Sequence, residues 1–583
     1  MDWISLREKL TMSAMHPLLK RWLPRLGLLA LLVLTFAARC YNSADVFHAD
    51  GRIYFLEGDC YSRMTRVKMV CEGQMVIRHH DFENWPQGTT PHTTAPFDWL
   101  IAGLKCVTEA GLRIVDWKGE SRMHGQSLDL AGALVSPLLA VATALWLWCW
   151  AGWMRLPFRP LMLLFFALSP ILVQGMELGR PDHQSLLIFL LAVAVCAELA
   201  LADLGTPARL ARRWAIVAGV AWGIALWVSL YEPLLFFAGA IGRHVLFNRT
   251  ALIARAVRGR WIALGAVILM ALFLDGWRLS LPDATLRGHF AAWSRTISEL
   301  MSLDLRGNRV WNWFGALWLF APVALWFAGR IDSRARGLLL LVLTMLCLNV
   351  WQMRWGYYLA LALTVSLPWQ LASLRIHWAG WVAGILAMVP FTFAWSGMLH
   401  PSEEERELHV WRRSVQDEWR RVATFMREPG AFLAPWWASP QIAYWSGQPG
   451  VSGTSHQSLA GILDSARFFL TENPTEAAAI LRERRVRYVL LDDLSHTSTN
   501  LSELLMVSNS AKILERKAPP EPFAKVLAES PRQAPPFLRY VTPAERGLVH
   551  IMGRLKDGKI EETSVKLFEP QYHQIYLVLP EKL

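Results

Sequence analysis

The chain reads as a polytopic α-helical membrane protein of about eleven spans, followed by a mixed α/β domain outside the cytoplasm. Three observations predict this class. Of its 583 residues, 54% are hydrophobic, and the mean hydropathy is +0.26. Thirty residues are Trp, which gathers at membrane interfaces. Apolar runs close to the ~20 residues that cross a bilayer recur near 25–39, 130–151, 160–176, 185–203, 214–231, 233–248, 261–275, 311–328, 338–351, 356–373 and 378–396. The pattern stops near residue 397. The sequence therefore divides into a multi-span domain over 1–397, with a large first outer loop at 40–129, and a soluble domain over 398–583.

The net charge of +12 could suggest nucleic acid, but the basic residues are not gathered on one face. They sit in short loops between apolar runs, the pattern that orients membrane proteins and excludes a nucleic-acid partner. Arg7, Lys9, Lys20, Arg21 and Arg25 precede the first span and place the N-terminus inside. Alternation then puts Arg155 and Arg159, Arg209 to Arg213, Arg243 to Arg260, Arg330 to Arg336, and Arg375 on the inner side as well. The least regular stretch is 231–248, where Tyr231, Glu232 and Pro233 interrupt a long apolar run. No small-residue cleavage site follows the first apolar run, so it reads as a retained span.

Four segments face outward: 40–129, 177–184, 276–310 and everything after 397, with a short turn at 351–355. The first holds Cys40, Cys60, Cys71 and Cys106, so a disulfide is an option if that side is oxidising. Cys149, Cys196 and Cys347 fall in apolar runs. In the soluble domain, Ser402 to Glu405 forms a capping-box pattern that starts a charged helix toward Pro429 and Gly430. Asn473 and Pro474 start another helix, Val486–Leu491 reads as a buried strand, and further strands are expected near 539–541, 548–552 and 564–578.

The outer segments carry the candidate chemistry. The first loop presents Asp59 among turn-forming and aromatic residues. The turn at 177–184 holds Arg180, Asp182 and His183 beside two span ends, where ionisable groups are costly without a purpose; the alternative is a solvated turn with an Arg–Asp pair. The 276–310 loop holds Thr296 and Glu299, which alone also suit an ordinary helix start. Asp59, Asp182 and Glu299 are hard oxygen ligands, with His183 as a fourth group, and carboxylates from separate loops suit Mg2+ or Mn2+. Arg354 lies at the outer end of a span, where it can grip a lipid-borne phosphate or simply anchor the interface. Trp436 and Trp437 offer an aromatic surface in the soluble domain.

The order of these residues resembles the catalytic subunit of oligosaccharyltransferase, a membrane glycosyltransferase of the GT-C class, over most of the chain. The similarity rests on Asp59, Tyr61 and Arg63, on Pro86 and Gly88, and on the Arg180–Asp182 turn. It continues through Thr296-Ile297-Ser298-Glu299, Arg354, Trp436-Trp437, Phe468-Phe469 and Val486-Arg487-Tyr488-Val489. The resemblance implies a GT-C-like fold and an inverting enzyme that takes its glycan from a polyprenyl-linked donor in the bilayer. It also implies Asp59 and Glu299 as catalytic residues, and Asp59, Asp182 and Glu299 around Mn2+ or Mg2+, to which the turn itself adds His183. Arg354 falls on the donor phosphate, and Arg180, Thr296, Trp436 and Trp437 fall on the acceptor. Gln184 stands where a second acid is expected, and Ala438 where the Trp-Trp-Asp motif has its Asp. That last departure leaves the acceptor open between protein and glycan. The competing readings are a GT-C enzyme acting on a lipid, polysaccharide or hydroxyl acceptor from a polyprenyl-phosphate monosaccharide, and a transporter of lipid-linked sugars, for which only Glu232 and Pro233 speak. A multi-pass protein of a prokaryotic cell membrane is the expected setting.

Overall fold

A computed structural model describes residues 17–91, 93, 95–115, 125–203, 207–247, 258–276, 284–492, 501–502, 504–507, 522–529, 534–541, 554–556, 559–561 and 574–583. The expected strand at 548–552 and the first part of the one at 564–578 lie outside these residues. The chain forms two compact units. One comprises 1–55, 93–276 and 299–403; the other comprises 56–92, 277–298 and 404–583. The division is therefore not one cut near residue 397, since parts of two outer segments fold with the C-terminal region.

In the first unit every expected span contains helix, in two places interrupted and in a third sharply bent. Among the described residues six helices are long and apolar enough to cross a membrane, or seven if a bent pair is one span. The count of about eleven is not matched because several apolar helices are short or interrupted. Pro170 disfavours the helical conformation at Ser169 (ψ 113°), so 160–176 becomes Arg159–Leu168 and Pro170–Gln174. The Arg39 guanidinium closes the end of the first of these, donating to Ala167 O at 2.6 Å and Phe166 O at 2.8 Å. The span near 311–328 bends by 57° between Asn308–Phe314 and Leu317–Gly329. Gly315 turns the corner with φ +61°, and any side chain there would run into the Ala387 backbone.

The first outer segment is more ordered than a loop. It contains helices Gly58–Cys71 and Ala95–Val115. No disulfide links cysteines among the described residues.

The second unit is built on a four-stranded sheet in the order Ala431–Leu433, Val486–Leu491, Gln574–Val578, Leu538–Tyr540. The first two strands are parallel and the others antiparallel. Alternate side chains of Val486–Leu491 go to opposite faces. Tyr488 and Leu490 pack with Trp419, Val422 and Ile442. Val489 and Leu491 pack with Leu459, Ile462, Phe468 and Leu481. Helices cover both faces, which is why Tyr488 to Leu491 are all buried, apolar or aromatic residues. The charged helix runs over Glu403–Ala423 and stops short of Pro429.

Candidate functional site

The turn at 177–184 is held on every side. Glu177 O accepts from Arg180 N, Ala133 O from Gly179 N at 3.0 Å, and Arg39 O from Leu178 N at 2.8 Å. Gly179 has φ +75°, and a side chain there would collide with Val46. Glu177 is buried against the Tyr41 hydroxyl, which donates to it at 2.9 Å, and the Arg180 guanidinium at 3.5 Å. Burial pushes its carboxyl up to about 7, against the pull of Arg180 and Tyr41. Arg180 is thus engaged by its own turn, also donating to Gln174 O at 3.3 Å.

Asp182 caps the helix His183–Leu201. Its Oδ1 accepts from His183 N at 2.7 Å and meets His183 Nδ1 at 2.6 Å. The imidazole therefore orients the carboxylate. One residue on, Gln184 Nε2 donates to Glu299 Oε2 at 3.4 Å, while the buried Gln184 Oε1 has no partner. The structure thus brings the 177–184 turn beside Glu299, although more than a hundred residues separate them in sequence.

Arg354 lies in a single helical turn, Met353–Trp355, whose Met353 N donates to Met301 O at 2.8 Å. Its guanidinium forms an ion pair with Glu232, a residue fully buried at the start of the helix Tyr231–Phe247. Ser229 Oγ donates to the second oxygen of Glu232 at 2.8 Å. Burial alone would lower the pKa of Arg354, but the charges of Glu232 and Glu299 outweigh it and raise it above its ordinary value. Glu232 is the functional candidate that sequence reasoning missed. Its signal was there, a carboxylate interrupting an apolar run, but it was read as a transport feature. One cluster in the first unit thus holds Asp182, His183, Gln184, Glu232, Glu299 and Arg354.

Asp59, Thr296, Trp436 and Trp437 belong to the second unit. Asp59 is exposed in the first turn of Gly58–Cys71. Gly58 is required beside it, because a Cβ there would sit 2.8 Å from the Thr454 methyl and 3.3 Å from Trp437 O. Behind it, Glu83 accepts from Ser62 Oγ at 2.5 Å. Burial pushes the Glu83 carboxyl up, Ser62 and Arg66 draw it down, and the negative charge of Asp59 adds to the rise. Thr296 ties its hydroxyl to Trp293 O at 2.7 Å. The chain passes between the two units inside the Thr296–Glu299 motif, after Ser298.

Trp436 and Trp437 meet edge to face with ring centroids 5.7 Å apart, and Trp293 packs on Trp436 at 5.8 Å. The Trp437 indole donates to Asp492 Oδ2 at 2.8 Å. Trp436 and Trp437 follow one parallel strand, and Asp492 follows the other. They gather at the carboxyl ends of the strands, where open α/β sheets bind ligands. Ala438, by contrast, is fully buried among Trp419, Ile442 and Tyr488. A carboxylate at 438 would be buried in this core, while Asp492 stands half-exposed.

Among the described residues no three His, Cys, Asp or Glu side chains are grouped closely enough to hold a metal ion. The donor chemistry nevertheless fits a hard cation. Asp182 and Glu299 supply carboxylate oxygens, and the buried Gln184 Oε1 has no hydrogen-bond partner, which such an ion would satisfy.

No family model matches the chain, and no curated protein matches it. Solved structures do. An oligosaccharyltransferase from Archaeoglobus fulgidus, tethered to an acceptor peptide containing the NVT sequon, superposes with a TM-score of 0.61 at 14% identity, over 91% of this chain and 81% of that one. The archaeal oligosaccharyltransferase AglB from Archaeoglobus fulgidus, in complex with an inhibitory peptide and a dolichol-phosphate, gives 0.64 at 13% identity, over 90% and 80%. The apo form of the former gives 0.57 at 14% identity, over 83% and 71%. The chain is an integral membrane protein with the fold of the oligosaccharyltransferases, the GT-C membrane fold.

Proposed function

We propose that this protein is a membrane glycosyltransferase that moves a glycan from a polyprenyl-linked phosphate or diphosphate to an acceptor outside the cytoplasm, and that the acceptor is protein. One observation carries the reading: Arg354, paired with Glu232 and within electrostatic reach of Glu299, in a chain of this fold. A guanidinium held charged and oriented by a buried carboxylate suits the phosphate of a lipid carrier. The similar archaeal structures, which contain a dolichol-phosphate and acceptor peptides, support the same donor and acceptor classes.

In this reading the acceptor's nucleophile attacks the anomeric carbon from the face opposite the phosphate. The bond from that carbon to the phosphate oxygen breaks, and the lipid phosphate leaves with inversion. Arg354 binds the leaving phosphate, with Glu232 fixing the direction of its fork. Glu299 is the carboxylate that accepts the proton given up by the acceptor. His183 fixes the orientation of Asp182, and the turn that holds Arg180 keeps this edge rigid. Asp182, Glu299 and Gln184 Oε1 would hold Mn2+ or Mg2+, which would supply positive charge against the departing phosphate. Asp492, set by the Trp437 indole, takes the place of the acid missing at 438 and accepts a hydrogen bond from the acceptor. Trp436 and Thr296 complete that surface.

A second reading rests on Ala438: without an acid in the Trp-Trp segment, the acceptor is a lipid, a polysaccharide or a hydroxyl group. The experiment is in-vitro transfer. Purified protein, Mn2+ and labelled polyprenyl-linked sugars from the host are incubated with peptides that contain or lack Asn-x-Ser/Thr. Label on the sequon peptides supports protein as the acceptor. Label consumed into a lipid or polysaccharide fraction supports the second reading. Donor bound but never consumed overturns both.

A further inference from the structure

Glu177 opens the turn that carries Asp182 and His183, yet no step assigned above uses its carboxyl. That carboxyl is buried, and its two oxygens have different neighbours. Oε2 accepts from the Tyr41 hydroxyl at 2.9 Å, and Oε1 faces Arg180 Nη1 at 3.5 Å. Asp45, in the short helix Ser43–Val46, also acts on it through its charge. The helix Val389–Leu399 packs the Trp395 ring edge to face on Tyr41 at 6.1 Å and brings no ionisable group. Arg39 meets the turn through its backbone oxygen, while its guanidinium donates to Phe166 O and Ala167 O.

Of Tyr41, Glu177 and Arg180, the carboxyl alone changes charge near neutral pH. Burial lifts it to about 7, against the pull of Arg180 and Tyr41. The Tyr41 hydroxyl is pushed above its ordinary value by burial and by the charge of Glu177, so it stays a donor throughout. A guanidinium stays charged. Glu177 therefore alternates between an ion pair with Arg180 and a neutral acid beside it. Arg180 links that alternation to the candidate site. The backbone just before it is pinned, with Leu178 N on Arg39 O, Gly179 N on Ala133 O and Leu178 O on Asn42 Nδ2. Arg180 then turns the chain toward Asp182. Its carbonyl oxygen accepts from Asp182 N at 2.7 Å and from Ser136 Oγ, while its side chain reaches back to Glu177 and to Gln174 O. What the guanidinium pairs with thus acts on the peptide that places Asp182 and, through Asp182 Oδ1, on His183.

We propose that Glu177 is a positioning residue for the transfer reaction: its carboxylate, paired with Arg180, holds the turn in the form that presents Asp182, and protonation of Glu177 loosens it. The inference rests on the function proposed above and adds to it a dependence on pH that belongs to a group outside the reacting atoms. Glu177 touches neither donor nor acceptor in that reading. It acts through Arg180, so its charge state alters the rate of transfer and leaves donor binding at Arg354 as it was.

The test is a pH profile of the consumption of labelled polyprenyl-linked sugars by the purified full chain, from about pH 5.5 to about pH 8.5. Two variants accompany the wild type. Glu177→Gln reproduces the neutral acid and keeps an oxygen for the Tyr41 hydroxyl. Tyr41→Phe withdraws a hydrogen bond that favours the carboxylate. Wild-type kcat should rise about fivefold through pH 7, and Glu177→Gln should stay flat at the acid level with an unchanged donor KM. Tyr41→Phe should move the rise upward by about half a pH unit. A Glu177 that only stabilises the fold would change the melting temperature of Glu177→Gln and leave its profile parallel to the wild type. If Glu177→Gln does not fold, Tyr41→Phe decides alone. A wild-type rise retained in Glu177→Gln, or a rise that stays in place or moves downward in Tyr41→Phe, would overturn this inference and leave the proposed function standing. No consumption by the wild type at any pH would overturn both.

Discussion

Replacing Arg354 with Gln separates two roles that one ion pair combines. In the wild type, Glu232 is 1% exposed and its partner Arg354 19%, and Ser229 is the other side-chain donor to the carboxylate. Removing the arginine leaves that carboxylate buried with only neutral donors, the Ser229 hydroxyl and its own backbone N–H. Breaking a buried pair from one side costs about 3–5 kcal/mol, and the partial exposure of Arg354 puts this case near 3 kcal/mol. Arg354→Gln should therefore both unfold at a lower temperature and lose transfer. The informative variant is the double substitution Glu232→Gln/Arg354→Gln, which replaces both charges with amides of similar shape. It should recover most of the thermal stability, because no buried charge remains. If Arg354 grips the phosphate, transfer should stay low. Lost hydrogen bonds to a charged group are worth about 1.5–3 kcal/mol, or roughly ten- to hundredfold in kcat/KM for the polyprenyl donor. The readouts are the unfolding midpoint in detergent, followed by tryptophan fluorescence, and donor-dependent kinetics on the same preparations. A double variant that is stable and transfers at the wild-type rate would refute the phosphate role and leave Arg354 a structural cation.

Four further outcomes are expected. Glu177 has a folded-state pKa of about 7, raised above the ordinary carboxylate value chiefly by burial. Its ionisation is therefore resisted by the fold, and its contribution is favourable at low pH and lost as pH rises from about 4.5 through 7. Glu177→Gln should flatten the thermal stability across that window, and an unchanged slope in a pH series of melting curves would count against it. Ala438→Asp should lower the melting temperature rather than improve use of sequon peptides, by an amount on the order of 2–4 kcal/mol for a buried unpaired carboxyl. Asp492→Asn should leave the fold intact and raise the acceptor KM about tenfold with little change in donor KM. Glu299→Gln and chelation by EDTA should each abolish label transfer, the latter reversed by Mn2+; full turnover in chelator would exclude the metal.

The sequence made the membrane class and the candidacy of Asp182, Glu299 and Arg354 legible because each depends on local pattern. Apolar length marks spans, and an acid in a short turn between them stands out. What it did not reveal depends on contacts distant in sequence. Glu232 and Arg354 are 122 residues apart, and nothing in either neighbourhood names the other. Asp492 is an unremarkable residue after a strand until the parallel pairing of Ala431–Leu433 with Val486–Leu491 brings it to Trp437. The vacancy at Ala438 looked like a lost function because its burial could not be seen in the sequence. The span count suffered for a related reason. Pro170 and Gly315 break or bend apolar runs whose summed hydropathy is unaffected by the break.

The helix Tyr231–Phe247 shows why the least regular stretch of the sequence proves the most consequential. Its 17 residues measure about 25 Å, short of the ~30 Å hydrocarbon thickness. A helix of that length cannot place both ends in water, so ionisable groups near its ends must find partners on other helices. Glu232 does so completely, through Arg354 and Ser229. At the other end, His244 reaches the Glu198 carboxylate while Arg243 reaches only its backbone. Lengthening the helix with apolar residues would release both ends to the interface and remove the need for either partner. Its shortness is therefore what commits Glu232 to Arg354, and Arg354 to one direction.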